Sequence, residues 1–195
     1  MASEPYGAFD DPYCHPGSGV LINLAGLTEQ SALDDYETEM VALRAQEPPP
    51  LGRFGPPHYR AIHRHLFQDV YTWAGRYRTV RTFKGGNPFC FPEYIDDQMK
   101  QLFTRLAERD FKPGVEADRF VFSLASFLTE LNVIHPFREG NGRTQQTFFA
   151  LLGHRAGHPF RLAALEADPF RRAMVASYHD DLDPLIDELQ RMLSA

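Results

Sequence analysis

The segment His135-Pro-Phe-Arg-Glu-Gly-Asn-Gly-Arg143 constrains the fold most tightly, because two glycines interrupt a stretch that is otherwise helical in pattern. Glycines let the backbone turn so that successive N–H groups point inward, which creates a site for an anion. The helical pattern after Arg143 would place the positive end of a helix dipole at the same point. The sequence therefore predicts a loop between two helices that holds phosphate groups.

The polar side chains of this loop suit phosphate chemistry. His135 is the predicted proton acceptor, because imidazole exchanges protons near neutral pH. Glu139 could bind a divalent metal ion, since hard cations prefer carboxylate and phosphate oxygens together. Arg138 and Arg143 would add local positive charge to a chain whose formal net charge is −6. That acidic balance does not favour direct binding to a nucleic-acid backbone.

The composition predicts one domain over residues 1–195, with 43% hydrophobic and 24% charged residues. No apolar run approaches the roughly 20 residues needed to span a bilayer, and the N-terminus lacks the features of a secretory signal. Cys14 and Cys90 lie far apart in the sequence, which favours free thiols over a disulfide. We therefore expect a cytoplasmic protein without a membrane partner.

Apolar residues recur at helical spacing along most of the chain, which predicts an all-α (mostly α) fold after an irregular N-terminal segment at residues 1–27. Thr28 can cap a first helix. Along that helix, apolar residues recur at three- and four-residue steps at Leu33, Tyr36, Met40 and Leu43. A second helix is expected to start after Pro57 and to close at Ala74-Gly75, where glycine suits the left-handed cap.

One stretch departs from the helical pattern. Residues 78–83 are rich in β-branched and aromatic side chains and predict a strand, with 89–91 as its return, so that 78–91 form a hairpin. Pro92 should open a further helix. Residues 115–156 are then predicted to form the core of the protein, as a helix, the catalytic loop and a second helix.

Two further helices are predicted at Asp168-Pro169 and Asp183-Pro184, where a capping residue precedes a first-turn proline. The pair His63 and His65 raises the question of a metal site. Because no third ligand accompanies them at suitable spacing, surface or core roles are the preferred interpretation.

The loop resembles the signature of Fic-domain proteins, HPFx(D/E)GNGRxxR, at every fixed position up to Arg143, whereas the final arginine of the signature corresponds to Gln146. Residues 61–69, 73–75 and 84–90 are similar to a helix and a "flap" hairpin of Fic proteins, and the N-terminal part resembles small standalone Fic toxins of bacteria. The resemblance implies the Fic fold, a helical bundle around a central helix–loop–helix active site with one short β-hairpin flap.

The resemblance also implies an activity, the transfer of AMP from ATP to a hydroxyl side chain of a target protein, with ATP as substrate and Mg²⁺ as cofactor. His135 would accept the proton of the hydroxyl, and Glu139 would hold the metal ion. The residues expected to contact phosphate groups are Gly140, Asn141, Gly142, Arg143 and Gln146. The flap expected to bind the target consists of Lys84, Gly85, Gly86, Asn87, Pro88 and Phe89.

Gln146 is the one departure from the signature. A glutamine brings no charge, and losing a charge-assisted contact typically costs about 1.5–3 kcal/mol, so we expect weaker or misoriented ATP and reduced transfer. The chain contains no convincing copy of the inhibitory Fic motif, so the resemblance implies a separate small antitoxin that supplies an inhibitory helix. A bacterial topoisomerase subunit is the expected target.

Two alternatives remain open at this point. The chain could be a catalytically weak or inactive Fic fold that acts as a binding partner, for which Gln146 is the motivating feature. It could also be a Fic enzyme that uses another phosphate-containing donor.

Overall fold

The computed structural model describes residues 11–84, 86–108 and 111–193. Within these ranges the secondary structure consists of seven α-helices, a short 3-10 helix and a two-stranded hairpin, which confirms the mostly α class. The α-helices are α1 (Gln30–Ala45), α2 (Pro56–Phe67), α3 (Pro92–Glu108), α4 (Ala117–Ile134), α5 (Asn141–Ala156), α6 (Ala167–Tyr178) and α7 (Asp183–Met192). The 3-10 helix is Leu162–Ala164, and the strands are β1 (Phe83–Lys84) and β2 (Asn87–Pro88).

The chain divides into two compact units. The first comprises Met1–Asp96 and His135–Thr144, and the second comprises Asp97–Ile134 and Gln145–Ala195. The whole loop from His135 to Arg143 belongs to the first unit. The single domain over residues 1–195 stays a prediction.

In the first unit, α1 packs against α2, and Leu33 is the one member of the predicted apolar stripe that is fully buried. The buried residues of α1 are Leu33, Glu37 and Val41, whereas Leu43 is 52% exposed. The predicted stripe is therefore right at Leu33 and wrong at Leu43, because the prediction follows the apolar residues alone. A carboxylate occupies the middle of the buried ridge, where it has polar partners of its own.

The helix α2 ends at Phe67, seven residues before the predicted close at Ala74. Successive turns replace it, with the N–H groups of Val70 and Tyr71 both bonded to the carbonyl oxygen of Phe67. Trp73 is buried in these turns, so the apolar periodicity outlasts the helix. Gly75 has a φ of 77°, the left-handed conformation expected of it, but it closes a turn and not a helix.

The hairpin exists, but its strands are not those predicted at 78–83 and 89–91. Each strand has two residues, with Phe83 opposite Pro88 and Lys84 opposite Asn87. Residues 78–82 lie outside the two strands, and the side chain of Arg78 donates hydrogen bonds to the carbonyl oxygens of His135, Val80 and Cys90. Gly85, at the predicted turn, lies outside the described residues.

The second unit has an aromatic and aliphatic core. Helix α4 packs against α6 and α7, and its predicted inner residues are all buried: Phe120, Val121, Leu124, Phe127, Leu128 and Leu131. Phe103, Phe127 and Phe148 form a ring cluster with centroids 5.4–5.8 Å apart. The wide apolar face of α4 is thereby confirmed.

Residues 11–27 contain turns and an isolated antiparallel bridge between Cys14 and Leu21, as expected of an irregular segment. Cys14 and Cys90 are both free, as predicted. Across the described part of the chain, no helix combines the length and hydropathy required to cross a membrane.

Candidate active site

The loop between α4 and α5 is closed by its own side chains. The backbone N–H of Phe137 donates to Oδ1 of Asn141 at 3.0 Å, and Nδ2 of Asn141 donates to the carbonyl oxygen of Phe137 at 2.8 Å. The hydroxyl of Thr144 donates to the carbonyl oxygen of Gly140 at 2.8 Å. Because Asn141 is 2% exposed and bonds the loop in both directions, its side chain has a positioning task. Its predicted contact with phosphate stays a prediction.

The two glycines of the loop serve different needs. Gly140 has a φ of 80°, and a Cβ there would lie 2.3 Å from the ring of Phe67, so both backbone conformation and packing require glycine. A Cβ at Gly142 would meet no atom of the described residues within 4 Å. Gly142 is exposed at the first turn of α5, so open space lies beside a helix N-terminus, where an anion is stabilised.

His135 follows directly after α4 in a left-handed conformation with a φ of 47°, which is uncommon for a residue with a side chain. Its imidazole stacks on the ring of Phe89, with ring centroids 3.9 Å apart and planes 6° from parallel. Nε of Arg78 donates to the carbonyl oxygen of His135 at 2.8 Å. Ring and backbone of the candidate base are therefore both held in place, and the residue is 7% exposed.

Arg143 lies among two carboxylates and an aromatic ring. Its Nη2 is 2.5 Å from Oε1 of Glu37 and 3.5 Å from Oε1 of Glu139. Its guanidinium carbon lies 4.7 Å from the centroid of the Phe67 ring, within the range of a cation–π contact. The hydroxyl of Tyr71 donates to the other oxygen of Glu37.

The pKa of Glu37 is raised, chiefly because burial disfavours the charged carboxylate and also because Glu139 repels it; Arg143 acts in the opposite direction. Burial and the charge of Glu37 raise the pKa of Tyr71 as well, so its hydroxyl keeps its proton and remains a donor. Two carboxyl groups, those of Glu37 and Glu139, therefore lie beside one guanidinium in this corner.

Glu139 also binds its own loop. Its Oε1 accepts a hydrogen bond from the backbone N–H of Gly140 at 2.8 Å, and its side chain is 28% exposed. No group of three or more His, Cys, Asp or Glu residues in the described ranges could hold a metal ion. Since Mg²⁺ is usually bound by one or two carboxylates together with substrate phosphates, a lone accessible carboxylate fits its chemistry.

His63 contacts the loop through its ring and binds the backbone of Glu139. The N–H of Gly75 donates to its Nδ1 at 2.8 Å, so the proton of the neutral ring lies on Nε2, which donates to the carbonyl oxygen of Glu139 at 3.0 Å. Burial lowers the pKa of His63 to about 3. The ring lies 3.8 Å from that of Phe137, which is itself fully buried. His63 is therefore a core residue, which is one of the two roles expected for it, and it binds the backbone of Glu139.

The remaining predicted residues fall in different places. Lys84, Gly86, Asn87 and Pro88 form the hairpin. Arg138, expected to add charge to the pocket, is 4% exposed and pairs with Asp11 at 2.6 Å. Gln146 is half-buried on α5, in the part of that helix that belongs to the second unit.

Three residues of the site were not identified from the sequence as parts of it: Glu37, His63 and Arg78. A signal existed for Glu37, because it lies four residues from both Leu33 and Val41, and a carboxylate on a buried ridge requires a partner. Arg78 had no comparable signal. It was part of a predicted strand, and only the tertiary structure shows its backbone partners.

Comparisons with known sequences find relatives that cover nearly the whole chain. The sequence model of the Fic/DOC family matches residues 53–153. A probable protein adenylyltransferase of Sinorhizobium fredii is 47% identical over 189 residues, which cover 96% of this chain and 98% of the relative. The probable protein adenylyltransferase Fic of Escherichia coli is 38% identical, with 94% of this chain and 92% of the relative covered.

Solved structures also match the fold of this chain. BepC of Bartonella tribocorum, solved with bound AMPPNP, superposes with a TM-score of 0.83 at 26% identity and covers 93% of this chain and 96% of its own. The N-terminal Fic domain of a Bartonella quintana effector, solved with bound ADP, has a TM-score of 0.84 at 28% identity and covers 93% and 94%.

Proposed function

Because the chain belongs to the Fic/DOC family and is an enzyme of the protein adenylyltransferase class, we propose that it transfers AMP from ATP to a hydroxyl side chain of a target protein. The observation that carries this proposal is the closed loop, in which a fixed histidine, an accessible carboxylate and a guanidinium lie within nine residues at the start of a helix. Nucleotide-bound structural relatives support the donor class.

In the proposed reaction, His135 accepts the proton of a Ser, Thr or Tyr hydroxyl as its oxygen bonds to the α-phosphorus of ATP. The bond from that phosphorus to the bridging oxygen breaks, and pyrophosphate leaves with the electron pair. The left-handed backbone, the hydrogen bond from Arg78 and the stack on Phe89 support this role, because a base must already lie in position for proton transfer.

The phosphate groups would lie at the N-terminus of α5. The open space beside Gly142 supports this placement, because packing within the described protein does not require that glycine. Arg143 would contact the leaving phosphates, for which its planar fork is well suited. To do so it must exchange or share its present contact with Glu37.

Mg²⁺ belongs to the same proposal. Glu139 would hold it, and the ion would neutralise phosphate charge as pyrophosphate leaves. The accessible carboxylate of Glu139, with a second carboxyl group beside Arg143, supports a divalent cation at this corner.

Gln146 is the reason for which we expect a reduced rate of AMP transfer. Where the family signature has a second arginine, this chain has an uncharged side chain. Arg143 already faces two carboxylates, so the positive charge available to a polyphosphate is small. We infer reduced transfer, from a deficit of roughly 1.5–3 kcal/mol in ATP binding or orientation.

The partners follow from the resemblance to small bacterial Fic toxins. We propose a cytoplasmic enzyme that is paired with a small antitoxin supplying an inhibitory helix, and whose target is a topoisomerase subunit bound along the flap. The flap hairpin supports strand addition because its strands are short and partly exposed.

Incubation with ATP labelled on the α-phosphate, Mg²⁺ and a bacterial lysate tests the proposal. We expect label in a protein band with wild type, none with His135→Ala, and more with Gln146→Arg. Gln101→Arg is the matched control, since it adds the same charge at an exposed position of α3. Mass spectrometry of the band identifies the modified hydroxyl and the target.

Two outcomes would redirect the proposal. Binding of an ATP analogue without transfer by either wild type or Gln146→Arg would favour an inactive Fic fold that acts as a binding partner. Transfer from another nucleotide or phosphodiester donor in preference to ATP would favour a related enzyme with a different donor.

A further inference from the structure

The flap and the candidate base are joined through one aromatic pair. Phe89 directly follows β2, and its backbone N–H donates to the carbonyl oxygen of Thr82 at 3.1 Å, so the hairpin determines where its ring lies. That ring covers one face of His135, with a centroid separation of 3.9 Å and an angle of 6° between planes. Phe89 is 7% exposed, so it is not a surface residue of the flap.

Arg78 binds backbone carbonyl oxygens next to both members of the Phe89–His135 pair. Its Nη2 donates to the carbonyl oxygen of Cys90, the residue after Phe89, at 2.6 Å. Its Nε donates to the carbonyl oxygen of His135, and its backbone N–H donates to that of Pro136 at 2.9 Å. The chain beside each ring is thus attached to the same guanidinium, which is 2% exposed.

We propose that Phe89 is a positioning residue that sets the plane of the His135 imidazole for proton transfer, and does not hold the target as the other flap residues do. The inference rests on the proposed function. The terminal torsion of a histidine has a broad energy well, so contacts to the ring, of which the Phe89 stack is one, select its plane. A flat ring in parallel contact restricts that torsion more strongly than an aliphatic side chain of similar volume.

The same contact stabilises the product of proton transfer. When His135 takes up a proton it becomes an imidazolium ion, and a cation over the face of an aromatic ring is attracted by the ring's negative face. Leucine at position 89 would keep the histidine dry but would lack that face. Comparing the two side chains therefore separates stacking from burial.

The chain offers a matched control. Phe83 lies in β1 of the same hairpin and is 46% exposed. Phe83→Leu makes the same chemical change on the flap as Phe89→Leu without touching the stack. The guanidinium of Arg78, which contacts the histidine backbone, remains in every variant and cancels in the comparison.

The first measurement needs no catalysis. Protein with isotope-labelled imidazole rings is titrated by NMR without nucleotide or metal, with His135→Gln used to assign the signal. We expect the pKa of His135 to fall by about 0.5 in Phe89→Leu. In Phe89→Tyr, which keeps the ring face, the pKa should stay within roughly 0.2 of the wild-type value. In Phe83→Leu it should be unchanged. Phe89→Met serves as the second variant if the leucine protein does not fold.

The second measurement is the initial rate of label transfer to lysate proteins at saturating ATP. Phe89→Leu should lose about tenfold in rate while it binds an ATP analogue as wild type does, and Phe89→Tyr should recover most of the rate. Phe83→Leu should alter only the dependence on target concentration. An unchanged pKa of His135 in Phe89→Leu and Phe89→Met, or a rate loss matched by weaker ATP binding, would overturn the proposal.

Failure of the two ideas can be told apart. If wild type transfers no label, the proposed function fails, while the NMR titration still tests the stack. If wild type transfers label and Phe89→Leu does so equally well, the function stands and the positioning role is refuted.

Discussion

Replacing His63 by glutamine tests the support beneath the loop, and its effect can be worked out from the structure. A protonated His63 would carry a hydrogen on Nδ1, directed at the N–H of Gly75, and would lose that bond. Burial, which dominates, and the charge of Arg143 lower the pKa of His63 to about 3 from an ordinary value of 6.5. Glutamine can donate and accept in the same two directions, but it does not titrate.

The direction of the pH effect follows from the lowered pKa. Between pH 6.5 and pH 3 the unfolded chain binds the proton that the folded protein refuses, so acid favours unfolding. The contribution of His63 to the free energy of unfolding is complete above pH 6.5 and falls by about 1.4 kcal/mol for each pH unit below it. Between pH 7 and pH 5 the loss is about 2 kcal/mol.

At pH 7, His63→Gln should itself be destabilised by about 1–3 kcal/mol, because it loses the ring contact with Phe137 at 3.8 Å. As the pH is lowered to 5, the difference between wild type and variant should therefore shrink by about 2 kcal/mol. The other titrating groups are common to both proteins and cancel in the difference.

Urea unfolding at a series of pH values measures this difference, with a chelator present and no nucleotide. The fluorescence of Trp73, the single tryptophan of the chain, reports on unfolding around His63, because the two ring centroids are 5.9 Å apart. His154→Gln, at an exposed position of α5, is the control and should leave the pH dependence unchanged. A difference between wild type and His63→Gln that stays constant from pH 7 to pH 5 would refute the reasoning.

Three further substitutions test neighbouring contacts. The raised pKa of Glu37 makes the folded state hold its proton more tightly, so its contribution to the free energy of unfolding declines as pH rises above 4.5. Glu37→Gln should remove this contribution. Wild type and variant with parallel pH profiles in urea unfolding would contradict the expectation. Gly140→Ala should lower the free energy of unfolding by about 2–3 kcal/mol, because its Cβ would overlap the ring of Phe67. Gly142→Ala makes the same change where the structure has space for a Cβ, so it should raise the free energy of unfolding by up to about 1 kcal/mol. It should also weaken the binding of an ATP analogue, as measured by calorimetry. Equal shifts in melting temperature for the two alanine variants would contradict this reasoning.

Much of the architecture was predictable from local pattern. The boundaries of α4 and α5 follow from a long apolar stripe and from glycines that end it, and both lie within two residues of expectation. Helix nucleation and termination depend on neighbours within one turn, so the sequence alone carries that information. The same holds for the mostly α class.

The misplaced elements share a cause. The apolar pattern that continues to Trp73 predicts a second helix up to Ala74, and the β-branched neighbours of Arg78 predict a strand there. In both places the buried side chains belong to loops. The turns after α2 are closed by the carbonyl oxygen of Phe67, and Arg78 binds the carbonyl oxygen of the distant His135. Local propensity does not contain those partners.

For the site, the sequence by itself determined which reactive groups are present: the histidine, the carboxylate, the guanidinium and the glycine-rich turn of one loop, together with the missing arginine at Gln146. The tertiary structure decided how those groups are held. Glu37, His63 and Arg78 come from positions 57–106 residues away in sequence from the loop residues that they bind. Contacts over such distances depend on how the chain is packed, because no local interaction couples residues so far apart.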